Sequence, residues 1–426
     1  MNRNCLIDRR SVLQVGSACV FGYPLVLPTR QSVAGEHNRS PNSLILLWLA
    51  GGPSTIDMWD PKPAAPANIR GEFGVIPTSL TGVSICEHLP ETARVLDQCT
   101  LIRSLHHNVP EHAPGANYVL SGNAPSPVLS HPTIGSIVAC KTNDQSELPP
   151  YVTIDHDNAA NAGFLPSTSN AFRLHDEARS LPSGITIARR EDRSAFSRRL
   201  RLREQFELHG DRSLGGQLAR DMSRFGDSAA RLLTDDTIAK ALRWQDEPQW
   251  VQDEYLTRSP FGRNVLRARR LITAGSRLVS VAMSGWDTHS GNFATLRTGL
   301  LPTLDQTFAA LVDDLKRRGM LDTTIVCCLG EFGRTPLVNG QAGRDHWSKS
   351  FSALIAGGPF HRGLVHGETD ASGSEPIRDP QGPGDLIATL LYALGIDPYG
   401  ELIAPDGRPI KLLDEGTIIR GMLARG

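Results

Sequence analysis

The chain has 426 residues, 40% of them hydrophobic and 21% charged, with a formal net charge of −1 at pH 7. That balance excludes a polyanion binder driven by net charge, so no nucleic acid is expected as a partner. The length suits a single elaborated α/β domain with a large core, and 40 glycines and 29 prolines predict many loops.

At the N-terminus, Asp8-Arg9-Arg10-Ser11-Val12-Leu13 places an arginine pair ahead of the apolar run from Val12 to Leu27, and Ser32-Val33-Ala34 supplies small residues at a cleavage position. The pattern predicts a twin-arginine signal peptide over residues 1–34, cleaved after Ala34. Residues 35–426 are then a mature domain delivered by the twin-arginine export machinery to the periplasm or another extracytoplasmic space. The apolar run is broken by glycine and proline, and no other segment approaches a bilayer span, so no stable membrane span is expected after cleavage. Of seven cysteines, Cys86, Cys99, Cys140, Cys327 and Cys328 lie beyond the signal, without CxxC spacing. An oxidising compartment would allow one disulfide among the first three. Cys327 and Cys328 point to opposite faces of one strand and read as small core residues.

Ser43 to Ala50 (SLILLWLA) is an apolar run without alternation, the pattern of a strand buried on both faces, and it runs into Gly51-Gly52 and then Asp57. Thr100 to Leu105 is a shorter strand ending at His106-His107, with Glu111-His112 close behind and a helix opening over Ala113 to Leu120. From about 155 to 254 strand runs vanish and charge rises. Asp192 to Leu208 reads as an amphipathic helix whose arginines alternate with acids, and the region is taken as a helical insertion. A helix follows from Gly262 to Ala274, stopped at Gly275, then the strand Arg277 to Met283 opening into Gly285-Trp286-Asp287-Thr288-His289. The next helix puts Leu304, Phe308, Leu311 and Leu315 on one face and ends near Gly319. It leads to the buried strand Thr323 to Leu329, which breaks at Gly330 into Glu331-Phe332-Gly333-Arg334 and then Gly343-Arg344-Asp345-His346-Trp347. Phe351 to Ala356 is another strand and Asp385 to Leu394 a closing helix. The alternation predicts an α/β fold, a mostly parallel central sheet with helices on both faces.

Acids and histidines therefore recur at separate strand ends, where open α/β sheets bind ligands. Asp57, His107, Asp287, His289, Glu331, Asp345 and His346 are the candidate metal ligands. Imidazole with carboxylate suits zinc, manganese or iron, and carboxylate-rich sites suit magnesium or calcium. His112, Arg334 and Arg344 are the candidate catalytic residues, the arginines as neutralisers of an anion.

The order of these features resembles the alkaline phosphatase/sulfatase superfamily. LDTTIVCCLGEFGR stands where that superfamily has a strand ending in Asp-His-Gly. His112-Ala113-Pro114 through Ser121-Gly122 is similar to the element that carries the sulfatase nucleophile, and DLIATLLYALGI to its closing helix. More specifically, GGPSTIDMWDPKP, GWDTH, GEFGRTP and GRDHW with the exported N-terminus resemble the DUF1501 branch, a sulfatase-like family of unknown function, over nearly the whole mature chain. The resemblance implies an alkaline-phosphatase-like fold and a divalent metal: zinc, calcium, magnesium or manganese. It departs at three places: His112 occupies the nucleophile position, Gly51-Gly52 replaces the first aspartate and Glu331-Phe332 lacks the histidine. A formylglycine mechanism is therefore not expected. The implied activity is metal-dependent hydrolysis of phosphate or sulfate esters, on a small molecule or a polysaccharide, with metal-activated water or His112 as nucleophile. The alternative is an exported metal- or anion-binding relative without turnover.

Overall fold

The structure, a computed structural model, describes residues 43–142, 148–176, 198, 236–404 and 407–424. The expected signal peptide and the helix expected over Asp192 to Leu208 lie outside the described residues.

Eight strands make the main sheet: β1 (Ser43–Ala50), β2 (Cys99–Leu105), β3 (Tyr151–Ile154), β4 (Phe172–Leu174), β5 (Leu278–Ser284), β6 (Thr324–Leu329), β7 (Phe351–Ala356) and β8 (Leu364–His366). Their order across the sheet is β8-β2-β7-β6-β1-β5-β3-β4. Every neighbouring pair is parallel except the two made by β7, which runs against β2 and β6. The fold is thus the mostly parallel α/β sheet that the apolar runs predict, with one reversed strand that periodicity gives no means of orienting.

Burial on both faces explains the runs. Alternate residues of β1 enter opposite cores: Ile45, Leu47 and Leu49 pack on one side, Leu44, Leu46 and Trp48 on the other. Cys328 and Cys327 divide in the same way. The first core is closed by the helices at Pro260–Ala274 and Leu301–Arg317, the second by those at His112–Ser121, Ile134–Lys141 and Pro383–Ala393. In chain order we call these α1 (His112–Ser121), α2 (Ile134–Lys141), α3 (Pro260–Ala274), α4 (Leu301–Arg317) and α5 (Pro383–Ala393). Helix α3 starts where Ser259 Oγ accepts the Gly262 N–H at 3.0 Å and stops at Gly275, whose φ of +118° admits a left-handed turn. Helix α4 buries Leu304, Phe308, Leu311 and Leu315, each contributing about 1.5–3 kcal/mol, well beyond what helix propensity supplies.

The described residues add detail at two places. The stretch from about 155, expected to be helical, contributes the edge strand β4, and β3 just before it is a strand the sequence reading left out. Both are too short for their pattern to register. Cys86, Cys99, Cys140, Cys327 and Cys328 are all free thiols, so no disulfide forms among the first three.

The sheet register sets up the site. Ala50 lies beside Ser284 and Trp48 beside Leu329, so the carboxyl ends of β1, β5 and β6 stand level in adjacent positions. Whatever follows these three strands must meet.

Candidate functional site

The loops after β1, β5 and β6 approach so closely that only glycine fits at some positions. Gly51 has φ +118°, and a Cβ there would stand 2.4 Å from the Asp287 amide nitrogen. A Cβ on Gly343 would stand 1.9 Å from the His289 carbonyl oxygen. Arg334 then ties the loops together. Its buried guanidinium donates to Gly52 O (2.8 Å), Arg344 O (3.1 Å), Trp286 O (3.2 Å) and Gly51 O, and reaches Asp287 Oδ1 at 2.5 Å.

Three imidazoles face that carboxylate. His289 Nε2 lies 3.0 Å from Asp287 Oδ1, His346 Nε2 lies 3.2 Å from it, and the two nitrogens are 3.0 Å apart. His112 Nε2 lies 3.5 Å from Asp287 Oδ2, and donor atoms of His112, Asp287 and His346 all fall within 4.8 Å of one another. The far side of each ring fixes its tautomer. Nδ1 of His289 meets Asp345 Oδ1 at 2.8 Å, Nδ1 of His346 meets Pro110 O at 2.7 Å and Nδ1 of His112 meets Glu331 Oε1 at 2.8 Å. Each of those partners only accepts, so each Nδ1 carries the proton. In the neutral imidazole every Nε2 then presents a lone pair toward Asp287.

Electrostatics follow from this packing. Burial pushes the Asp287 carboxyl up, but the hydrogen bond and charge of the Arg334 guanidinium outweigh it and hold it down at about 2. The hydrogen bond from His289 lowers the Asp345 carboxyl. Burial lowers His346, against the pull of Asp287, favouring the neutral ring that a metal ligand needs.

The other candidates stand elsewhere. Asp57 and Arg344 form a fully buried bidentate pair, Nε to Oδ2 and Nη2 to Oδ1 both at 2.8 Å, and Asn292 Nδ2 and Ser54 Oγ also reach Asp57 Oδ2. Arg344 spends its remaining donors on Thr335 O, Pro336 O and Ile69 O. His107 accepts the Val109 N–H on Nδ1 and so donates from Nε2 to Glu331 O at 2.7 Å, which leaves it no lone pair. The structure gathers Asp287, His289, His346 and His112 into one cluster, with Glu331, Asp345 and Arg334 behind them. Asp57, His107 and Arg344 are bound into the supporting frame.

A tetrahedral ion with donors at about 2.0–2.1 Å separates those donors by about 3.3 Å. The triangle of His289, His346 and Asp287, with edges of 3.0, 3.0 and 3.2 Å, fits that size. Its donor chemistry and the carboxylate or carbonyl behind each imidazole also match metal-binding histidines. Sequence reasoning missed three parts of the site. One is the Pro110 carbonyl, which no side-chain motif encodes. Another is Asn339, whose Nδ2 holds His289 O at 3.0 Å. The third is Phe332, a wholly buried ring 4.6 Å from His346 and 5.2 Å from His112, whose apolar wall was legible only as the middle of GEFGR.

Comparison with known proteins gives a family first. The model of the family described as Protein of unknown function (DUF1501) matches residues 41–423. No curated protein matches the sequence. Among solved structures, the chain is similar to BT1596, a 2-O GAG sulfatase, at 10% identity and a TM-score of 0.37, over 91% of this chain and 74% of that one. It is similar to a protein in the alkaline phosphatase superfamily from Vibrio parahaemolyticus at 11% identity and a TM-score of 0.36, over 84% and 67%. A third is the C-terminal periplasmic domain of EcEptC from Escherichia coli in complex with Zn, at 9% identity and a TM-score of 0.39, over 91% and 96%.

Proposed function

We propose that this chain, which belongs to the DUF1501 family, is an exported metal-dependent hydrolase of phosphate or sulfate esters. One observation carries the reading. Three histidine Nε2 atoms converge on the Asp287 carboxylate, and each ring is held from behind by an acceptor-only group. Lone pairs aimed at one another repel unless a proton or a cation lies among them, and this set of imidazole and carboxylate donors suits a divalent ion.

Asp287, His289 and His346 would hold the ion, zinc best suiting a set dominated by imidazole. A bound divalent ion supplies Lewis-acid polarisation of the ester oxygen and a more acidic water. The chain's own groups supply the rest. Arg334 pins Asp287, Asp345 orients His289 and Pro110 O orients His346. His112, turned by Glu331 so that Nε2 faces the cluster, takes the proton from water as the water oxygen bonds to sulfur or phosphorus. The bond from that centre to the ester oxygen breaks, and the alcohol departs with a proton returned to it. The class of ester rests on the motif resemblance; export rests on Arg9-Arg10 and the apolar run behind them.

Metal analysis of the purified mature chain tests the reading. Wild type is expected to carry about one divalent ion and to release alcohol from aryl sulfates or phosphates, and His346→Ala is expected to lose the ion. His112→Ala should lower the rate by about 10²–10⁴-fold, the range for a proton-transfer group. An ion retained without hydrolysis of any such ester would leave the non-catalytic binding protein as the reading. No ion under any divalent metal would end both.

A further inference from the structure

We infer that the pocket selects esters bearing one negative charge, such as sulfate monoesters and phosphodiesters, over dianionic phosphate monoesters; this rests on the reading of the cluster as a metal-dependent ester hydrolase. The observation is where the two arginines spend their donors. Arg334 gives its N–H groups to four backbone carbonyls and Asp287, and Arg344 to three backbone carbonyls and both oxygens of Asp57. Both side chains are fully buried. Turning either toward a substrate would strand several buried carbonyls and a carboxylate, a loss that one new anion contact does not offset. Neither guanidinium is therefore available to an incoming anion.

Among the described residues, the charged groups that touch the three imidazoles or Asp287 are acidic apart from Arg334. They are Asp287 itself, Asp345 and Glu331. Glu331 adds a further constraint, because its Oε2 is buried without a hydrogen-bond partner while Oε1 serves Gly51 N and His112. Three carboxylates against one guanidinium leave a formal charge of −2, which a single divalent ion brings to zero. One anionic oxygen of the substrate meets the ion. A second full charge would sit beside Asp287 and Asp345 with no cationic donor, after giving up its water.

The test is calorimetric titration of the zinc-loaded full-length mature chain with three probes at pH 8. Phenylphosphonate carries two charges, its monomethyl ester one, and benzenesulfonate one. Each monoanion is expected to bind at least tenfold more tightly than phenylphosphonate, and the better of the two tells a phosphodiester site from a sulfate site. Asp345→Asn, which keeps an oxygen for His289 while removing a charge, is expected to shrink the preference severalfold, raising affinity for the dianion relative to that for the monoanions measured on the same zinc-loaded variant. Equal or tighter binding of phenylphosphonate by wild type overturns the charge selection while leaving the metal reading standing. A chain that takes up no zinc and binds none of the probes overturns both.

Discussion

Arg334 and Arg344 are both buried arginines paired with an aspartate, yet they serve different ends. Arg334 holds an aspartate whose other edge faces the imidazoles, whereas Arg344 and Asp57 satisfy each other completely. Removing one partner of a buried pair leaves an uncompensated charge at a cost of about 3–5 kcal/mol. Asp57→Asn is accordingly expected to lower unfolding free energy by that amount in urea titrations, while zinc affinity of the folded protein stays within about threefold of wild type. Loss of zinc affinity without loss of stability would instead make Asp57 a ligand. The residue types in the site were legible because acids and histidines crowd the ends of apolar runs. Their division of labour was not, because it depends on which ring nitrogen faces an acceptor. His107 and His346 look alike in the sequence; only Val109 N–H and Pro110 O separate a spent imidazole from an available one.

At the scale of elements, the site is a property of strand ends brought level by register. The long doubly buried strands β1 and β6 announce themselves as SLILLWLA and TIVCCL, whereas β3 and β4, with YVTI and FRL, carry too few residues for periodicity to mark them. The loops were legible as glycine-rich, but the reason for each glycine is a contact with a distant segment. At Gly51 a side chain would meet Asp287 N at 2.4 Å in a backbone conformation that L-residues rarely adopt. Gly51→Ala should therefore push the β5 loop outward, adding strain of about 1–3 kcal/mol and weakening zinc binding at least tenfold. Calorimetry on the folded variant, verified by circular dichroism, checks this. An unchanged affinity would show that the β1 loop does not set the position of Asp287.

For the whole molecule, the sheet serves as a rigid base on which three loops converge, and the cores on its two faces keep that base from shifting. A site assembled from segments as distant in the chain as Asp287, His289 and His346 exists only in the folded state, so an ion bound there stabilises the fold, by about 2.7 kcal/mol at a hundredfold excess over its Kd. The central claim is the position of that ion. Crystals of the mature chain grown with zinc and measured on both sides of the zinc absorption edge should give one anomalous peak, about 2.0–2.2 Å from His289 Nε2, His346 Nε2 and an Asp287 carboxylate oxygen. A peak at Asp57 or His107, or none at all in zinc-soaked crystals, would contradict it.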